Sequence, residues 1–131
     1  IHIQYDNDYT SNILEDSFIT GMHIEVINAS SLLKAVNEVR FDIDKEHVTP
    51  YIYNRPDVFK IKSIKSEKDN SNLRLCLDYP EDLEMINLLI EKTNDKILAE
   101  AELAELINKD NILSILCKRF NKKQSIKYKF N

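Results

Sequence analysis

The sequence predicts an α/β fold with a mixed sheet. One observation is the alternation Phe59-Lys60-Ile61-Lys62-Ser63-Ile64-Lys65, and another is the run Leu73-Arg74-Leu75-Cys76-Leu77, both strand-like. A third is the order of patterns along the chain: strand, helix, helix, strand, strand, then three helices. At 131 residues the chain is read as a single domain or part of one, with residues 1–95 carrying the α/β portion and residues 96–131 a helical end.

Residues 5–17 are polar and weakly patterned, and Asp8-Tyr9-Thr10-Ser11-Asn12 reads as a strand end or a loop. His23 to Asn28 alternates, with Ile24 and Val26 on one face of a strand. Ser30 or Ser31 is expected to cap a helix that runs to about Arg40, with Leu32, Ala35 (or Val36) and Val39 on one side. Thr49-Pro50 combines a hydroxyl cap with proline at the first helical position. That helix should stop near Asn54, because Pro56 pushes Arg55 out of the α region.

The strand at residues 59–65 turns Phe59, Ile61 and Ile64 inward and its lysines toward water. The polar run Glu67-Lys68-Asp69-Asn70-Ser71 makes the turn into the strand Leu73–Leu77. A helix follows from about Pro80 to Thr93, with an apolar face of Leu83, Ile86 and Ile90. Two more helices are expected, at Lys96–Asn108 and Asp110–Phe120; Asp110 is the N-cap of the last, and Leu113, Leu116, Cys117 and Phe120 its apolar side.

Composition narrows the function classes. A hydrophobic share of 43% with 31% charged residues belongs to a folded globular chain, not a disordered one. Eighteen basic against 22 acidic residues give a net charge of −4. The local excess Lys118, Arg119, Lys122, Lys123, Lys127, Lys129 reads as a solvated end rather than a phosphate-binding tail, and no nucleic-acid-binding signature is present. No apolar run approaches the roughly 20 residues that span a bilayer, and no signal peptide is visible. Cys76 and Cys117, each among apolar neighbours, read as buried thiols of a cytoplasmic protein. There is a single glycine, Gly21, so no glycine-rich loop can bring several backbone N–H groups onto a phosphate.

Asp78 is the leading candidate for chemistry. At the carboxyl end of a strand in an α/β fold it faces the crevice where ligands bind, and it is a hard oxygen ligand suited to Mg²⁺. The competing reading is a helix N-cap, since Asp78-x-x-Glu81 fits a capping box loosely; with Pro80 at the first helical position, Tyr79 becomes the cap instead. Arg74 shares a strand face with Asp78 by period two, so it either binds a carboxylate or phosphate or pairs with Asp78. By pattern alone His47, before the Thr49-Pro50 helix start, reads as a structural histidine, and Glu25 is a strand carboxylate.

Three stretches in order, Gly21-Met22-His23-Ile24-Glu25-Val26, Glu46-His47-Val48-Thr49-Pro50-Tyr51-Ile52 and Leu77-Asp78-Tyr79-Pro80-Glu81-Asp82-Leu83-Glu84, carry a resemblance. The chain resembles the C-terminal half of the cytidylyltransferases grouped with 3-deoxy-manno-octulosonate cytidylyltransferase and the spore-coat polysaccharide biosynthesis proteins. The likeness spans about Asp8 to Glu91, and His23 stands where the family usually has aspartate. It implies a nucleotidyltransferase-type three-layer α/β sandwich. It further implies Mg²⁺ bound by Asp78, a sugar side shaped by Glu25, Glu46 and His47, and CTP and a 2-keto-3-deoxy acid sugar as reactants. The family's glycine-rich CTP loop has no counterpart here, so an N-terminal half or a second copy is the expected partner. The alternative is a non-catalytic module that self-associates.

Overall fold

In the computed structural model, which describes residues 1–40 and 47–118, Tyr9–Ser11 is the central strand, β1, of a three-stranded sheet. It runs antiparallel to β2 (Glu25–Ile27) and parallel to β3 (Ile61–Ser63), so the sheet is mixed, as expected. All three β1 residues are buried, and this strand is the one read only as a strand end or loop. Its polar side chains hid it: Thr10 and Ser11 are satisfied inside, Ser11 by donating to the Ile24 carbonyl at 2.8 Å.

The chain divides into two units, one of Ile1–Glu15 with Ile24–Lys65, the other of Asp16–His23 with the chain from Ser66 onward. The first unit holds the sheet, helix α1 (Ala29–Glu38) and helix α2 (Val48–Tyr53) around Tyr9, Ala35, Tyr51, Ile52 and Phe59. Helix α1 starts before Ser30, with Asn28 at the cap position, and Ser31 is turned inward to donate to Asp8. Asp8 also accepts the Lys60 N–H at 2.8 Å, which ties α1 to the start of β3. These donors hold the Asp8 carboxyl below its ordinary value, the Ser31 hydroxyl contributing most. Ala35 is buried and Val39 packs on the core as expected, whereas Leu32 and Val36 face outward. Ile24, just before β2, and Val26 within it are exposed, at 64% and 42%; Ile27 packs on the core, while Glu25 is exposed and accepts from the Tyr9 hydroxyl.

The second unit is built from α3 (Pro80–Thr93), α4 (Glu100–Lys109) and α5 (Asn111–Lys118) around Ile19, Leu73, Met85, Ala104, Ile107, Leu113 and Cys117. The bounds of α3 agree with expectation: Pro80 opens it, and Asn94 closes it in the left-handed conformation at φ 51°. Helix α4 starts at Glu100, later than expected, because Glu102 reaches back to the Ala99 N–H at 2.9 Å. Asp110 caps α5 as expected, accepting from the N–H groups of Ile112 and Leu113, both at 3.0 Å. Phe120 lies outside the described residues. Cys117 is buried, which pushes its thiol up to about 11. Neither cysteine is in a disulfide. No helix among the described residues is long and apolar enough to cross a membrane.

The expected strand Leu73–Leu77 is corrected to an extended segment with one parallel bridge, Thr20 to Arg74. The Thr20 N–H donates to the Leu73 carbonyl at 2.9 Å, and the Leu75 N–H donates to the Thr20 carbonyl at 2.7 Å. The ladder stops there because Gly21, at φ +100°, turns the chain away. A Cβ at Gly21 would lie 2.3 Å from the Leu75 carbonyl oxygen, a backbone atom that cannot swing aside. Gly21→Ala is therefore expected to cost about 2–4 kcal/mol, from the positive φ and the forced shift together. Urea denaturation of the variant checks this, and a loss below about 0.5 kcal/mol would show that the bend relaxes without strain.

Candidate functional site

The bridge to Thr20 places Arg74 inside the second unit, where its side chain is 2% exposed. A guanidinium does not lose its charge on burial, so it must find carboxylates. It finds two. Nη1 donates to Asp82 at 2.6 Å and Nη2 to Asp78 at 2.5 Å, while Nε finds no acceptor among the described residues.

Local sequence sets this geometry. Tyr79 is extended, at φ −129° and ψ 156°, and Pro80 begins the helix, so Tyr79 rather than Asp78 holds the cap position. Asp82 then falls at the third helical position, where a carboxylate reaches back to the orphan N–H groups. Its Oδ2 accepts from the N–H of Asp78 at 2.8 Å and of Tyr79 at 2.9 Å, leaving Oδ1 for Arg74. Burial pushes the Asp82 carboxyl up, but the bond from Arg74 and the two N–H donors outweigh it and hold the group below its usual range. Cys76, between Arg74 and Asp78 in sequence, is pushed up by burial in spite of the nearby guanidinium, so it is no thiolate nucleophile at neutral pH.

Asp78 differs from Asp82 in exposure. Its side chain is 53% accessible, and only one oxygen is engaged by Arg74. Mg²⁺ is usually held through one or two carboxylates together with waters and substrate phosphates. The exposed Asp78 oxygen fits that manner of binding, as a single ligand. No cluster of three or more metal-ligating side chains is present among the described residues, and Asp82 has both oxygens committed.

The other expected site residues belong to the first unit. Glu25 is exposed and accepts a hydrogen bond at 2.5 Å from the hydroxyl of Tyr9, whose side chain is buried. Burial first, and Glu25 second, raise the Tyr9 hydroxyl far above its normal range; the Tyr53 hydroxyl, its ring 5.8 Å from that of Tyr9, rises for the same reasons. His47 is exposed at the start of α2, and its side chain makes no capping bond. Glu46 lies outside the described residues. The structure thus joins Arg74 to Asp78 and adds two residues, Asp82 and Tyr9, not singled out from sequence. Asp82 had a signal, an acid two positions after a helix-opening proline. Tyr9 had none, because its strand is polar on both sides.

No protein-family model matches the chain. The spore coat polysaccharide biosynthesis protein SpsF of Bacillus subtilis is 29% identical over 113 residues, 83% of this chain and 46% of that protein. A solved structure of a cytidylyltransferase from Leptospira borgpetersenii superposes with a TM-score of 0.73 at 28% identity, covering 84% of this chain and 46% of the other. The chain is similar to cytidylyltransferases in sequence and in fold. An uncharacterised protein of Methanocaldococcus jannaschii is also similar, 31% identical over 80 residues, which is 60% of this chain and 32% of that one. The chain spans less than half the length of each of these proteins. Both the α/β fold and the family resemblance read from the three motifs agree with this cytidylyltransferase likeness.

Proposed function

We propose that this chain is the metal- and sugar-side part of a CTP-dependent sugar cytidylyltransferase. The reaction joins CMP to a sugar, with a 2-keto-3-deoxy acid as the substrate class, and its product feeds assembly of a surface polysaccharide. The observation that carries the reading is Asp78: a half-exposed carboxylate just before a proline-opened helix, one oxygen fixed by a buried arginine. The cytidylyltransferase likeness supports it over most of the chain.

In this reading a sugar hydroxyl attacks the α-phosphate of CTP and pyrophosphate leaves. Asp78 would hold Mg²⁺, which when bound neutralises negative charge on the phosphates. Arg74 has both Nη groups committed to carboxylates and acts by orienting Asp78, not by meeting the nucleotide. Glu25, one oxygen engaged by Tyr9, accepts from a sugar hydroxyl with the other, and Glu46 and His47 complete the sugar side. Cys76 and Cys117, their thiols raised, take no part. Positioning and electrostatics supply most of the rate.

Pyrophosphate release tests the proposal, using CTP, Mg²⁺ and a panel of 2-keto-3-deoxy acids. The full-length product of the gene is expected to turn over, and the 131-residue chain alone is expected to be silent, because its single glycine cannot build a triphosphate cradle. Turnover by the chain alone would refute the partial-enzyme reading. Silence of the full-length protein with every sugar and nucleotide would favour a non-catalytic, self-associating module.

A further inference from the structure

We propose that Asp82 and Arg74 are positioning residues for Asp78, forming a closed relay that presets its carboxylate for a divalent cation. The inference rests on the reading of Asp78 as the metal ligand. The relay has two arms that meet at one buried carboxylate. Through Oδ2, Asp82 fixes the backbone at Asp78 and Tyr79; through Oδ1 it fixes Arg74, which in turn grips the Asp78 side chain. Asp78 is thereby held at both its main chain and its carboxylate by a single buried group.

An exposed aspartate ordinarily samples several rotamers, and a cation that binds one of them must restrict it. Here the restriction is already made, because Arg74 and Asp82 are 2% and 4% exposed and have no room to reorient. One Asp78 oxygen is committed to Arg74, so the other is offered in a fixed direction. Arg74 is suited to the task by its planar fork, which spans two carboxylates at once; a lysine ammonium is a point charge without that geometry.

The same contact has a rival interpretation. In it, a guanidinium 2.5 Å from a carboxylate oxygen competes with a cation for that carboxylate. The two interpretations give opposite signs when the fork is removed at constant charge. Arg74→Lys does this, keeping one positive charge at the site and losing the ability to hold Asp78 and Asp82 together.

The test is Mn²⁺ binding to the full-length protein, followed by the EPR signal of unbound Mn²⁺ with CTP present, alongside urea denaturation to show that each variant is folded. Arg74→Lys is expected to bind Mn²⁺ about tenfold more weakly, an effect of the size found when groups that orient a metal ligand are removed. In an Asp78→Asn background the same change should have no further effect, which a merely structural role for Arg74 would not produce. Should Arg74→Lys fail to fold, Asp82→Asn serves instead, since its amide oxygen still accepts the two N–H groups while the anchor on Arg74 is lost. Binding within twofold of wild type in a folded relay variant, with Asp78→Asn weakened, would overturn the positioning role and leave the metal role standing. Tighter binding by Arg74→Lys would show competition, and would also overturn it. If Asp78→Asn itself leaves Mn²⁺ binding unchanged, the metal reading falls, and the relay with it.

Discussion

Asp78→Asn in the full-length protein is expected to leave folding intact while lowering cytidylyl transfer about a hundredfold or more, a loss of roughly 2.7 kcal/mol or more in transition-state stabilisation. The folding half follows from exposure. Asp78 is 53% accessible and its bond to Arg74 is a partly solvated ion pair, a class that contributes about 0–1 kcal/mol. Asparagine keeps the shape and can still accept from Arg74, and the cap position belongs to Tyr79, so the start of α3 is undisturbed. The activity half follows from charge. A hard cation prefers an anionic oxygen, and the neutral amide offers a weaker one beside an arginine that is then less compensated. The Mg²⁺ dependence should move to higher concentration together with the fall in turnover. Near-normal turnover at ordinary Mg²⁺ in a folded Asn variant would remove Asp78 from the site, and the main functional proposal with it.

The same segment shows what local sequence dictates and what tertiary contacts decide. Helix α3 was legible to the residue, because Pro80 fixes where it can start and Asn94 tolerates the left-handed turn that ends it. Its inward face was not. Leu83, Ile86 and Ile90 give the stronger apolar stripe, yet Leu83 and Ile90 stand 51% and 47% exposed while Asp82 and Met85 are buried. Periodicity weighs apolar residues and ignores charge; a buried Arg74 requires a carboxylate, and α3 turns Asp82 toward it. The strand expected at Leu73–Leu77 failed for a related reason. Alternation says which side chains share a face, but only a neighbouring backbone makes a ladder, and Gly21 takes that neighbour away after Thr20. The pairing of Arg74 with Asp78 was legible from period two, whereas the capture of Glu25 by Tyr9 joins residues 16 apart through an antiparallel register that no local pattern encodes.

Asp82→Ala is expected to cost about 3–5 kcal/mol of folding stability, the range for stripping one partner from a buried ion pair. Its carboxylate takes the Arg74 fork and two backbone N–H groups, so its removal leaves a 2% exposed guanidinium with a single partner and orphans two donors at the start of α3. Against a usual total of about 5–15 kcal/mol, such a loss removes between roughly a fifth and the whole of the chain's stability. Glu105→Gln is the matched control: its pair with Lys109 is as close, at 2.5 Å against 2.6 Å for Arg74 and Asp82, but both side chains are well exposed, at 65% and 72%, and stability should not change measurably. The effect of pH has a definite sign. The Asp82 carboxyl is lowered in the folded state, so its contribution is present above the unfolded aspartate value of about 3.9 and disappears as the pH falls through the folded value. The gap between wild type and Asp82→Ala should therefore be constant from pH 5 to 8 and narrow only in stronger acid. Urea denaturation across that range measures it. A loss below about 1 kcal/mol at pH 7 would mean that Arg74 finds water or another acceptor when Asp82 is gone, and that the buried pair does not hold the second unit together.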